Sequence, residues 1–172
     1  MNKKRLDGFR NWVFRPGMLF ESWKMWWRPT EMRKRPHEGV DLCFYRKKNG
    51  KIEKLEEGTL IPCIFSGEVL SSIDDYLGRS VFFFSHPNIV WALGHINVEN
   101  NLQKGMCFER GEVIGTLAAK RQKDITPHIH ISFGILLKDL PYRLDWSVMT
   151  DTNILKLIDP MPFIALEYEM VP

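Results

Sequence analysis

Thr126-Pro127-His128-Ile129-His130-Ile131-Ser132-Phe133-Gly134-Ile135 is the stretch on which the reading of this chain turns. Apolar residues at 129, 131, 133 and 135 alternate with polar or small ones, the period of a β-strand. On a strand, residues two apart project from the same face with Cα atoms roughly 6.5–7 Å apart. The imidazoles of His128 and His130 can therefore converge on one small site, one binding a metal ion while the other stands about one water away. Alone, a His-x-His pair is a weak signal of a metal site.

The flanking sequence is also β-like. Val40 to Tyr45, Thr59 to Phe65, Glu68 to Ser72, Ser80 to Ser85, Ile89 to His95 and Glu112 to Ala118 are short runs rich in Val, Ile and Phe, separated by turn residues. Lys48-Asn49-Gly50-Lys51 predicts a hairpin turn, because Asn-Gly tolerates positive φ. Helical patterns do not alternate with these strands, which disfavours a parallel βαβ sheet. The prediction is a mainly β, compact antiparallel sandwich or barrel-like domain over residues 37–136. Asn97 to Lys104 reads as a short helix or loop. The bulky Val81-Phe82-Phe83-Phe84 reads as core packing. A tail, 137–172, is broken by Pro141, Pro160, Pro162 and Pro172, with a helical turn or two over Thr152 to Ile158, and is expected to pack on the domain.

The chain has 172 residues and a net charge of +3, too mild to indicate nucleic-acid binding. The imbalance is local: residues 1–35 hold 10 Lys/Arg against 3 Asp/Glu. This N-terminal segment, 1–36, also holds Trp12, Trp23, Trp26 and Trp27. Met18 to Trp27 has apolar residues spaced for one face of a short helix. The segment is read as packing on the domain, with a membrane-surface anchor or a flap over a groove as the alternatives. No apolar stretch follows the basic start, so no cleavable signal is readable, and Ser80 to Val98 is too polar for a transmembrane span. Cys43, Cys63 and Cys107 are odd in number and widely spaced, so no disulfide framework is expected. Together these point to a cytoplasmic protein.

The second histidine cluster is Arg35-Pro36-His37-Glu38-Gly39-Val40-Asp41. On a straight strand His37 and Asp41 stand roughly 13 Å apart, and Pro36 and Gly39 argue against a helix. A bend at Gly39 lets imidazole and carboxylate converge. One His and one Asp from here, with one His from the distant strand, make a His₂Asp set. Three nitrogen and oxygen ligands with an open fourth position are the arrangement of a catalytic zinc. Glu38, on an extended backbone, is expected to point away.

At these residues the chain resembles the lysostaphin-type zinc metallopeptidases, which cut peptide bonds in bacterial cell-wall peptidoglycan. The early motif is His37-Glu38-Gly39-Val40-Asp41 and the late one His128-Ile129-His130. Between them Pro62-Cys63-Ile64-Phe65-Ser66-Gly67-Glu68-Val69, Trp91-Ala92-Leu93-Gly94-His95-Ile96 and Gly111-Glu112-Val113-Ile114-Gly115 match the family in order. The resemblance implies one Zn²⁺ held by His37, Asp41 and His130, with His95 and His128 as unliganded catalytic histidines on a groove across the sheet. It implies a peptidoglycan or other peptide substrate and a place in the cell envelope. The alternative is a non-catalytic scaffold of the same fold that binds or activates another wall hydrolase. The basic stretch Ala119 to Thr126 departs from the family's Gly-rich loop. His86 has no counterpart and reads as a turn residue.

Overall fold

The computed structural model describes residues 4–98, 102–119, 123–139, 142–164 and 167–172. In chain order the strands are β1 (Phe9–Phe14), β2 (Lys24–Met25), β3 (Arg28–Met32), β4 (Val40–Leu42), β5 (Phe44–Lys47), β6 (Ile52–Lys54), β7 (Leu60–Pro62) and β8 (Gly67–Asp74). There follow β9 (Arg79–Ser85), β10 (Ile89–Val98), β11 (Cys107–Phe108), β12 (Val113–Leu117) and β13 (Ile129–Leu136), then α1 (Trp146–Met149), β14 (Leu155–Ile158), α2 (Met161–Ile164) and β15 (Tyr168–Met170). The molecule is mainly β and mainly antiparallel, as the alternation predicted; β1 and β15 are a parallel pair. No closed barrel forms among the described residues.

Nine strands make the main sheet, in the order β11-β8-β9-β10-β12-β7, with β13 joined to β10 and carrying β4 and β14 on its other edge. A smaller sheet, β15-β1-β5-β6, shares the main core through Trp12, Phe14 and Tyr45. The predicted strand Val40 to Tyr45 divides at buried Cys43, its first half in one sheet and its second in the other. The Asn49-Gly50 turn forms between β5 and β6, with Gly50 at φ 86°.

The run Val81-Phe82-Phe83 is buried on both sides of the sheet. Val81 and Phe83 enter the larger core with Trp91, Leu93, Ile131 and Phe133, whereas Phe82 faces Val90, Ala92, Leu144 and Met149. Phe83 stacks on Trp91 at 4.0 Å between ring centroids. Each buried Phe contributes roughly 1.5–3 kcal/mol, so this pair of cores anchors β9 and β10, and β10 pairs in turn with β13.

Three local expectations are corrected. Met18 to Trp27 is not a helix; both short helices lie in the C-terminal part. The segment is turns followed by the β2–β3 hairpin, because its backbone bonds outward: Glu21 N–H donates to His37 O, His37 N–H to Ser22 O and Asp41 N–H to Met18 O. The apolar spacing there was not one face, since Trp26 is buried and Trp23 is 50% exposed. Thr152 to Ile158 is a turn followed by β14, which extends the sheet by pairing with β13. Asn97 and Val98 complete β10 and Leu102 to Met106 is a turn; 99–101 lie outside the described residues. Among those described, no helix is long and apolar enough to cross a membrane, and Cys43, Cys63 and Cys107 are free thiols.

Candidate metal centre

Asp41 on β4 and His130 on β13 face one another in an antiparallel ladder. The register brings the early and late motifs together, with Asp41 Oδ1 2.9 Å from His130 Nδ1. His37 reaches the same point from the loop before β4, where Glu38 and Gly39 form the predicted bend. A Cβ on Gly39 would lie 2.0 Å from the Ile131 carbonyl oxygen, so only glycine lets this loop lie against β13. His37 Nε2 stands 3.3 Å from Asp41 Oδ1 and 3.3 Å from His130 Nδ1. In a tetrahedral site with metal–ligand distances of about 2.0–2.1 Å, neighbouring ligand atoms are about 3.3–3.4 Å apart. The three atoms therefore have close to the spacing of a set around one ion, and all three residues are buried.

Hydrogen bonds on the far side of each ring decide what faces the centre. His37 Nδ1 lies 3.0 Å from the Leu19 carbonyl oxygen and His128 Nδ1 lies 2.8 Å from that of Thr126. A carbonyl only accepts, so both Nδ1 atoms carry the proton and both Nε2 atoms present lone pairs inward. His128 Nε2 lies 3.7 Å from Asp41 Oδ1. His130 Nε2 rests on Ser132 Oγ at 2.9 Å. The second carboxylate oxygen, Asp41 Oδ2, accepts from Trp26 Nε1–H at 2.7 Å and from Arg33 at 3.5 Å. Inward lone pairs of His37 and His128 and a carboxylate oxygen thus face one point, and His37, Asp41 and His130 form a group that could hold a metal ion. Burial works against the Asp41 charge, but His37, His128 and His130 outweigh it and hold the carboxyl well below the ordinary range.

β10 positions His95. Its first part pairs with β13 up to Gly94, opposite His130, and its last part, from Ile96, pairs with β12. At the changeover β10 bulges against β9 and His95 takes φ 67°. A left-handed histidine is uncommon and points to a functional constraint. Asp75, in the β8–β9 turn, holds it there. Asp75 Oδ2 accepts from the His95 backbone N–H at 2.9 Å and Oδ1 from His95 Nδ1–H at 3.1 Å. The same carboxylate accepts from Leu77 N–H, Gly78 N–H and the Ser80 hydroxyl. Burial would raise the Asp75 carboxyl, yet these donors, His95 first, keep it strongly depressed. The His95 ring then lies 4.8 Å from that of His128 and 6.0 Å from that of His130.

No family model matches this sequence, and no curated protein matches it. Solved structures do match. LytU is similar at 20% identity and a TM-score of 0.58, over 96% of this chain and 93% of that one. The catalytic domain of the antimicrobial peptidase lysostaphin from Staphylococcus simulans is similar at 18% identity and 0.52, over 80% and 85%. The cbpa protein of L. salivarius REN is similar at 15% and 0.53, over 90% and 88%. The chain has the lysostaphin-type peptidase fold.

Within this lysostaphin-type fold, the five histidine and aspartate residues singled out from sequence gather in one cleft of about 290 Å³. Aromatic rings form its walls. Trp27 lies nearly parallel to the His128 ring at 6.2 Å, Tyr76 meets His95 edge-on at 4.8 Å and Trp146 meets His130 at 5.2 Å. Burial pushes the His128 imidazole down to about 4, with Asp41 pulling against it, so the ring is neutral at pH 7. Glu38 is among the residues that line the cleft. His86 sits in the β9–β10 turn, apart from the site. Of the basic stretch Ala119 to Thr126, Lys120 to Gln122 lie outside the described residues. Asp75, Trp26 and Ser132 were not legible as site residues. The one sequence signal for Asp75 was its turn, Asp74-Asp75-Tyr76-Leu77-Gly78, which says nothing of the histidine it holds.

Proposed function

We propose that the protein is a zinc-dependent endopeptidase hydrolysing peptide bonds of bacterial cell-wall peptidoglycan, with His37, Asp41 and His130 as zinc ligands and His95 and His128 as its catalytic histidines. The observation that carries this reading is the convergence of His37 Nε2, Asp41 Oδ1 and His130 Nδ1 within 3.3 Å of one another, with the His37 lone pair turned inward by the bond of its Nδ1–H to Leu19 O. When bound, zinc supplies a Lewis acid for the scissile carbonyl and an activated water.

The chain's own residues do the rest. Neutral His128 presents its Nε2 lone pair beside Asp41 Oδ1 and is placed to take the proton of the attacking water. His95, its Nδ1–H committed to Asp75, offers Nε2 for proton delivery to the leaving amine, and the Asp75 carboxylate steadies the positive charge that develops on the ring. Trp27, Tyr76 and Trp146 confine an extended peptide and exclude bulk water from the cleft.

The test combines zinc analysis of purified protein with mass spectrometry of peptidoglycan fragments after incubation. Near-stoichiometric zinc and new peptide termini are expected. Zinc uptake without cleavage would favour the non-catalytic scaffold, and absence of uptake would remove the metal site itself.

A further inference from the structure

We infer that the N-terminal strap, residues 18–33, is a working part of the metal centre, with Trp26 as the positioning residue of Asp41. This rests on the reading of His37, Asp41 and His130 as metal ligands.

Two of the three ligands depend on the strap. Asp41 has one oxygen in the cluster and one outside it, and the outer oxygen, Oδ2, takes the Trp26 indole N–H at 2.7 Å. That bond is buried and short. It fixes which carboxylate oxygen turns inward, and it spares Oδ2 an unsatisfied lone pair in a buried site. Arg33, whose guanidinium lies 4.8 Å from the centre of the Trp27 ring, adds a weaker contact to the same oxygen and bonds Gly17 O at 3.1 Å, tying the two ends of the strap together. The second ligand, His37, is oriented by Leu19 O, which fixes its tautomer. Partners behind metal ligands commonly contribute 10–100-fold in metal affinity.

The same residues reach the catalytic side. Trp26 packs edge-on against the His128 ring at 5.3 Å while Trp27 lies nearly parallel to it and lines the cleft. A segment that lifted away to open the groove would strip Asp41 and His37 of these partners. The strap is therefore not a latency flap whose removal activates the enzyme; its loss weakens the centre.

The experiment measures zinc affinity of the full chain by competition with a chromogenic chelator, for the wild type, Trp26→Phe and, as a control, Trp23→Phe, whose ring is half exposed. Trp26→Phe keeps an aromatic ring and removes the N–H. The expected result is affinity weakened 10–100-fold in Trp26→Phe and unchanged in Trp23→Phe. Equal affinity in all three overturns the inference while leaving the hydrolase reading intact. A wild type that takes up no zinc overturns both. Because Trp26→Phe also removes a buried hydrogen bond that supports the fold, a second measurement uses wild-type protein: the Trp26 indole ¹H–¹⁵N resonance is expected to shift on zinc addition more than that of Trp23. An unmoved Trp26 resonance in protein that has bound zinc overturns the inference without any substitution.

Discussion

Asp41 and His130, 89 positions apart in the chain, are direct cross-strand neighbours, with their facing side-chain atoms 2.9 Å apart. Paired residues on adjacent antiparallel strands have Cβ atoms about 4.5–5.5 Å apart, so the register of β4 on β13 alone sets this edge of the candidate centre. His37 then needs only one bend to join. A slip of one residue would send Asp41 to the opposite face and dissolve the cluster.

Removal of a ligand and removal of a proton-transfer group are expected to separate cleanly. His37→Ala loses zinc, read by elemental analysis, and activity with it. His128→Ala retains zinc and loses turnover on the order of 10²–10⁴-fold. Full activity of His128→Ala on a peptide substrate would contradict its assignment.

Asp75→Asn tests the support of His95. The amide keeps the size of the side chain but can no longer accept from every donor around it, and the His95 ring loses its charged partner. Turnover is expected to fall on the order of 10²–10⁴-fold, as for other catalytic histidines deprived of a carboxylate. KM and zinc content are expected to stay close to wild type. A fall in zinc content matching the fall in turnover would show a merely structural role.

Gly39→Ala places a methyl against the Ile131 carbonyl oxygen, where neither side is a flexible side chain. The loop must move off β13, at a cost of about 1–3 kcal/mol, which for a chain of this size lowers Tm by roughly 2–12 °C. Because the displaced loop carries His37, zinc affinity is expected to fall as well. Chelator competition alongside thermal melting checks both.

Acid is expected to destabilise the metal-free protein in two steps. Burial holds His128 near 4, below the ordinary 6.5 of an unfolded chain, so the unfolded state binds more protons between these values. Its contribution is complete above about pH 6.5 and is lost as pH falls towards 4, with a slope of at most about 1.4 kcal/mol per pH unit. The depressed Asp41 and Asp75 carboxyls add stability above about pH 4 that is lost on further acidification. Urea titrations at pH 7, 5.5 and 4 measure the first step. His128→Gln is expected to flatten it.

Much of the fold was legible because strand alternation and turn residues are local signals. The hairpin at Asn49-Gly50, the buried Phe82-Phe83 run and the strand through His130 all follow from chemistry within a few residues. Met18 to Trp27 misled for the complementary reason. Its apolar spacing fits a helix face, but its backbone donors and acceptors are taken by residues as distant as His37 and Asp41.

The sequence by itself determined that the chain is a mainly β domain and that His37, Asp41 and one histidine of the His128/His130 pair could make a ligand set, because side-chain chemistry at fixed spacing survives without coordinates. The choice of His130 as ligand, and of His95 and His128 as two further histidines, came from the resemblance to the lysostaphin-type family. Only the tertiary structure decided how those five are oriented: Asp75 behind His95, Trp26 behind Asp41, and the carbonyl oxygens of Leu19 and Thr126 behind His37 and His128. These supports come from turns and strands far away along the chain, and hydrogen-bond direction depends on where atoms lie in space. No local pattern encodes it.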